Sequence, residues 1–246
     1  MGQYFQKDYT GGAFVLYGTG HLVALTVITV ICFSLSAIKS WNGNRKRGLT
    51  YIAGGLLLVN ELGWHFFNIY WGTWDIKTML PLHICSFTVW GSVYMLFSGN
   101  RNVYFYEAMY FLGIGGATQA LLTPDAGIYG FPHFRAFQTF ISHGLLVIFP
   151  LYMTIVEGYR PTLQSFKRVF VITNLYMIFV FFINLVIGSN YLFIAHKPEF
   201  PTLLDMLAPW PWYVFQLEAI GFAIFFLAYM PFLIKDLKVE KILPTS

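Results

Sequence analysis

The chain has 246 residues, 57% of them hydrophobic and only 11% charged, with a mean hydropathy of +0.61. A soluble domain carries about 25% charged residues, so this composition excludes a water-covered globule and indicates an integral membrane protein. The net charge of +4 and a pI near 9.0 resemble a nucleic-acid binder's, but the basic residues cluster between apolar runs, so no nucleic-acid partner is expected.

A helix needs roughly 20 residues to cross about 30 Å of hydrocarbon. The chain offers seven such segments, at 13–37, 50–71, 78–98, 103–122, 136–157, 168–194 and 212–234. The expected fold is therefore all-α, a polytopic seven-helix membrane domain spanning 1–246. The polar start "MGQYFQKDY" has neither the basic region nor the cleavage site of a secretory signal. Segment 1 carries His21 and Cys32. Segment 2 carries Glu61 and His65, four apart and so on one helix face. Segment 3 opens with "LPLHICSF" (80–87), where His83 and Cys85 point about 200° apart on a regular helix unless Pro81 disturbs the turn. Segment 4 carries Glu107 and Gln119, segment 5 His143, segment 6 Asn174, Asn184 and Asn190, and segment 7 Glu218. Cys32 and Cys85 lie in different segments, so no disulfide framework is expected.

The loops fix an orientation. Eleven of the 15 basic residues fall on one side: Lys39, Arg45, Lys46, Arg47, Arg101, Arg160, Lys167, Arg168, Lys235, Lys238 and Lys241. Lys7, Lys77, Arg135 and Lys197 fall on the other. Positive-inside bias then places the N-terminus outside and the C-terminus in the cytoplasm of a multi-pass cell-membrane protein. "YWGTWD" (70–75) and "PWPWY" (209–213) meet the outer boundary, where amphipathic rings rest among headgroups.

Ionisable groups are costly in lipid, and each is a candidate functional site. Cys85 lies about seven residues into its segment, roughly 10 Å below the outer surface at 1.5 Å per residue. His21, His143 and Glu218 enter to a similar depth, and Glu61, His65, Gln119, Asn184 and Asn190 collect at the outward ends of segments 2, 4 and 6. The inner halves hold little besides Asn174 and Glu107. This asymmetry predicts one polar pocket in the outer half of the membrane. A cysteine and a histidine in one layer are the minimum for covalent acyl transfer. Gln119, Asn190 or an indole N–H are candidate oxyanion donors, Glu61 or Glu218 candidate orienters of the imidazole, and His133 and Arg135, in "FPHFRAF", candidate headgroup contacts. Three rivals remain. A zinc-dependent lipid hydrolase would draw on His21, His65, His83, His143 and Glu61, with only Glu61/His65 showing a local ligand spacing. A proton-coupled small-molecule transporter would need polar groups reaching both sides, which the inner halves lack. A seven-helix receptor has no retinal lysine in 212–234.

The runs "LPLHICS" (80–86), "ALLTPD" (120–125), "FPHFRAFQTFISHG" (131–144), "NLVIGSNYLF" with "HKP" (184–198) and "PWYVFQLE" (211–218) together resemble the transmembrane protein 164 family and its bacterial, YwaF-type relatives. A more distant likeness is to the androgen-induced hydrolases of fatty acid esters, which use a threonine where this chain has Cys85. The resemblance implies a phospholipid acyltransferase with Cys85 and His143 as the catalytic pair; on the helix geometry around Pro81, His83 stands second to Cys85. A nucleophile near the outer glycerol-ester level meets lipid esters directly, whereas cytosolic acyl-CoA would approach from the wrong side. The expected reaction is therefore CoA-independent transfer between lipids, or lipid ester hydrolysis when water is the acceptor. The expected partners are membrane phospholipids and lysophospholipids; no cofactor, metal or protein partner is expected.

Overall fold

The computed structural model describes residues 2–99, 102–198 and 203–242, with the backbone alone at 203 and 239–242. Arg101, one of the basic loop residues, and the side chain of Lys241 lie outside the described residues. The described chain is all helical, with no strand among those residues. Helices stand at Thr19–Ile38 (α1), Gly43–Tyr70 (α2), Ile84–Ser98 (α3), Val103–Ala108 (α4), Gly115–Leu122 (α5), Phe134–Ile155 (α6), Leu163–Ile187 (α7) and Trp212–Ile242 (α8). A π-helical stretch, Met109–Ile114, joins α4 to α5 as one continuous rod. Among the described residues four helices are long and apolar enough to cross a membrane: α1, α6, α7 and the Trp212–Lys238 part of α8.

Local chemistry sets the helix ends. The Asn42 side chain accepts the Arg45 N–H at the start of α2, and Asn102 accepts the Tyr104 N–H at the start of α4. Thr162 and Ser165 form a reciprocal capping box on α7. At its other end Gly188 has φ +64°, the left-handed turn that closes helices and that suits glycine. Segment 6 therefore ends at 187, not 194. Segment 3 also differs from expectation. Residues 81–83 form a turn, and the helix starts at Ile84. Pro81 thus precedes the helix, where its ring costs nothing, and Cys85 is the second helical residue, not the eighth of a longer span.

The chain forms two compact units, one of residues 1–74 and 84–159, the other of 75–83 and 160–246. In the first, α6 packs against α1, α2, α3, α5 and the π-helical stretch. Its apolar window is 61% buried, against 11% for each of the other three candidate spans, so α6 is the central post. An apolar cluster of Leu57, Val89, Val93, Ala117 and Leu146 joins four helices around it. In the second unit α7 pairs with α8, and Phe166 and Phe170 meet Phe222 edge-on at 5.2 and 5.4 Å. The outward faces stay apolar. Phe33 of α1 is 81% exposed and Val186 of α7 84%, which suits a hydrocarbon surround and not water.

The N-terminal residues lie across the end of the first unit. Trp71 Nε1–H donates to the Phe5 carbonyl at 2.9 Å, Tyr129 Oη–H to that of Lys7 at 2.8 Å, and Gly130 N–H to that of Gly12 at 3.1 Å. Phe5 stacks on Phe134 at 5.5 Å. This strap holds residues 13–18 out of α1, which begins at Thr19.

The π-helical stretch brings Gly113 against α6 so closely that an added Cβ would lie 2.8 Å from the Leu146 carbonyl oxygen. Gly113→Ala is expected to destabilise the protein by about 1–3 kcal/mol through overpacking. Gly221→Ala, where nothing lies within 4 Å, is expected to hold or slightly raise the thermal midpoint of the detergent-solubilised protein, because alanine is the better helix former.

Candidate functional site

The first unit contains Cys85, His143, Glu61, His65, Gln119, His21, His133 and Arg135; His83, Asn184, Asn190 and Glu218 belong to the second. Cys85, in the first turn of α3, is half-buried and packs against the apolar cluster that includes Leu146. A Cβ added to Gly116 of α5 would lie 3.6 Å from its Sγ. The Cys85 carbonyl accepts the Thr88 hydroxyl at 2.8 Å, within the helix.

The histidines differ in what their neighbours leave them. His143, half-buried on α6, has Nδ1 2.8 Å from the Thr139 carbonyl one turn back. A carbonyl only accepts, so Nδ1 carries the proton and Nε2 keeps its lone pair. His143 stands three residues before Leu146, on the α6 face turned to the cluster that Cys85 joins. His65 shows the opposite tautomer. Its Nδ1 accepts the Trp74 indole N–H at 3.0 Å, which leaves the proton on Nε2, 3.7 Å from Glu61 Oε1.

His21 is fully engaged. Its Nδ1 accepts the Tyr17 N–H at 2.9 Å and its Nε2–H donates to the Leu121 carbonyl at 2.8 Å, bracing α1 to the end of α5. His133 is likewise occupied, and its expected headgroup role is corrected. The residue is fully buried, Nδ1 caps α6 by accepting the Arg135 N–H at 3.1 Å, and Nε2–H holds the strap through the Gln6 carbonyl at 3.0 Å. Neither nitrogen remains for a phosphate.

Arg135 turns inward along α6. Its guanidinium lies 4.0 Å from the Trp64 ring centroid, and Nη1 donates to Gln138 Oε1. Its charge interacts with Glu61, Asp125 and Tyr129, and that of Glu61 also reaches Cys85. Glu61, His65, Arg135 and Cys85 thus share one electrostatic neighbourhood, with Trp64 and Gln138 as its frame. Asn60, one residue before Glu61, donates to the Gln138 carbonyl at 3.0 Å and ties α2 to α6. Asn60 and Gln138 were missed from sequence, although amides inside apolar helices are the same signal that picked out Gln119. Trp64 had a signal too, three residues from Glu61 on the same face.

Gln119 spends one amide N–H on the Gly115 carbonyl at 3.1 Å. In the second unit, Asn184 and Asn190 serve as backbone ties. Asn184 bonds both the N–H and the C=O of Tyr191, at 2.8 and 2.9 Å, and also takes the Ser189 hydroxyl. Asn190 accepts the N–H groups of Ala195 and His196 and donates to the His196 carbonyl. His83 lies in the turn before α3, with its ring between those of Tyr191 (5.2 Å) and Phe193 (5.4 Å). Among the described residues no group of three or more His, Cys, Asp or Glu side chains is placed to hold a metal ion.

Burial lowers the His133 imidazole below its ordinary value near 6.5, and the Gln6 hydrogen bond offsets part of that shift. The folded form therefore prefers the neutral ring. The stability it contributes is full above about 6.5 and is lost as pH falls below it, because the unfolded chain then binds more protons. The protection of the Arg135 N–H against hydrogen exchange, corrected for the intrinsic pH dependence of exchange, should fall between about pH 7.5 and about pH 5.5. His133→Asn, which keeps a cap acceptor but does not titrate, should abolish that dependence.

Residues 16–229 match the family model described as the TMEM164 family. No curated protein and no solved structure matches. The family match covers most of the chain, including α1 to α6, all of α7, the Cys85 turn and His143, and the chain therefore belongs to the TMEM164 family.

Proposed function

We propose that this chain is a membrane-embedded phospholipid acyltransferase of the bacterial, YwaF-type branch of its family, working without CoA through an acyl-Cys85 intermediate. It sits in the cell membrane as seven spans, with the N-terminus outside and the C-terminus cytoplasmic. Seven apolar helical segments and the one-sided basic loops support that topology. The observation that carries the chemical reading is the tautomer of His143. The Thr139 carbonyl holds the proton on Nδ1, so the base required by a cysteine nucleophile is available on Nε2.

In the first half-reaction, Nε2 takes the Sγ proton as sulfur attacks the ester carbonyl of a donor phospholipid. The tetrahedral intermediate collapses, the C–O bond breaks, and the departing lysolipid oxygen takes that proton from His143. In the second, the acceptor lysolipid gives its hydroxyl proton to Nε2 and attacks the thioester, and the C–S bond breaks. The thiolate leaves and recovers the proton. Donors for the developing oxyanion are at hand, because the first N–H groups of a helix have no intrahelical partner and Cys85 lies in that first turn. The unspent amide N–H of Gln119 is a second donor. Glu61 and His65 support the site's charge balance, and Arg135, framed by Trp64 and Gln138, supplies a cation for the lipid phosphate. Water entering in place of the lysolipid would give hydrolysis.

The test is transfer from phospholipid to a fluorescent lysolipid by the purified protein. Cys85→Ala is expected to fall to background. His143→Ala should lose on the order of 10²–10⁴-fold, the range for removal of a general base. Glu61→Gln should lose less, on the order of tenfold. Transfer that survives both Cys85→Ala and His143→Ala rules out the mechanism, and so does a Cys85→Ala protein that still forms an acyl-enzyme by mass spectrometry.

A further inference from the structure

The second unit contains a groove that acyl transfer does not use. It has a volume of about 340 Å³ and runs between α7 and α8, with apolar walls that include Met177, Phe181, Val214 and Phe215. Two polar side chains also line it, Asn174 of α7 and Glu218 of α8. The Phe170–Phe222 contact sets the register of these helices. One turn toward the α7 C-terminus from Phe170, and one turn back from Phe222, Asn174 and Glu218 stand across from each other.

Both present acceptors without donors. Among the described residues no hydrogen bond or ion pair reaches the Glu218 carboxylate. Asn174 donates Nδ2 to the Phe170 carbonyl at 3.0 Å, and among the described residues none donates to its Oδ1. Other acids do meet donors or cations: Asp236 pairs with Arg160 and Glu61 with His65, Glu157 accepts the Tyr152 hydroxyl and Asp75 the Lys77 N–H. Glu218 lies six residues into α8, about 9 Å from its first residue at 1.5 Å per residue. A carboxylate and an amide oxygen that share an apolar groove lack a donor between them, and the charge of the carboxylate makes a cation the best fit.

We infer that this groove binds a single-chain amphiphile carrying a primary ammonium group, which donates to Glu218 and to Asn174 Oδ1 while its chain lies along Met177, Phe181 and Phe215. A primary ammonium has three donors and satisfies both acceptors at once; a quaternary one has none. Aromatic rings in the wall add attraction for a cation, and the volume is of the size that holds one small ligand. A free long-chain amine and an ethanolamine lysophospholipid headgroup both carry that ammonium, and the two share the same contacts. This site stands apart from the acyl-transfer reading, because its readout is binding and not turnover.

The experiment is native mass spectrometry of the full-length protein in detergent, titrated separately with dodecylamine, dodecanol, dodecyltrimethylammonium and an ethanolamine lysophospholipid. Dodecylamine or the lysophospholipid should bind at least about tenfold more tightly than dodecanol, about 1.4 kcal/mol, and whichever binds more tightly identifies the source. Dodecyltrimethylammonium should bind several-fold more weakly than dodecylamine. Glu218→Gln, nearly identical in shape, should abolish the preference for the ammonium while leaving dodecanol binding unchanged. Asn174→Ala, a second variant with its own folding risk, should reduce it. Parity between dodecanol and both ammonium ligands, parity between dodecylamine and its trimethyl analogue, or a preference that survives in a folded Glu218→Gln protein overturns the assignment.

Discussion

Polar atoms in an apolar surround must find their partners within the chain, because hydrocarbon offers none. Among the described residues no fully buried side-chain nitrogen or oxygen lacks a hydrogen-bond partner. That requirement organises the molecule. It turns main-chain carbonyls into tie points, so that His21 braces α1 to α5, Asn60 joins α2 to α6, and Asn184 closes the turn after α7. It also sorts the histidines. A ring with both nitrogens engaged is a strut, whereas a ring with one nitrogen spent on a carbonyl keeps a base. His143 is of the second kind, and that difference gives it chemical interest beyond its position on the central helix.

Much of the architecture was legible because hydrophobic periodicity and length report burial directly. The rod from Val103 to Leu122 begins and ends where its apolar run does, and α6 falls within two residues of expectation. The start of segment 3 was not legible in the same way. Leu80 and Leu82 are apolar enough to extend a helix on paper, but they pack instead with Tyr191 and Val180 in the second unit, and the Leu80 N–H donates to the Tyr191 hydroxyl at 2.8 Å. Hydropathy records that a residue avoids water. It does not record which neighbour covers it.

The candidate site shows the same division. Residue type and depth picked out Glu61, His65, Cys85 and His143, because ionisable groups in apolar runs are scarce enough to be informative. Depth alone gave no tautomer and no partner. Nor does depth show that Arg135, a candidate headgroup contact by sequence, stacks on Trp64 and bonds Gln138 within the bundle. Arginine can be placed so because its stem and planar head pack against apolar and aromatic surfaces while its donors stay engaged. His133 sits at a helix start where an N-cap acceptor is needed, and its imidazole fills a place usually taken by serine, threonine, asparagine or aspartate.

The strap across the first unit carries a consequence for how that region tolerates change. Trp71, His133 and Tyr129 grip the main-chain oxygens of Phe5, Gln6 and Lys7, and every amino acid, proline included, offers that oxygen. Gln6 and Lys7 are themselves exposed, so their identities are nearly free, whereas deleting a single residue there would shift all three oxygens out of reach together. The clasp is thus indifferent to spelling and sensitive to spacing.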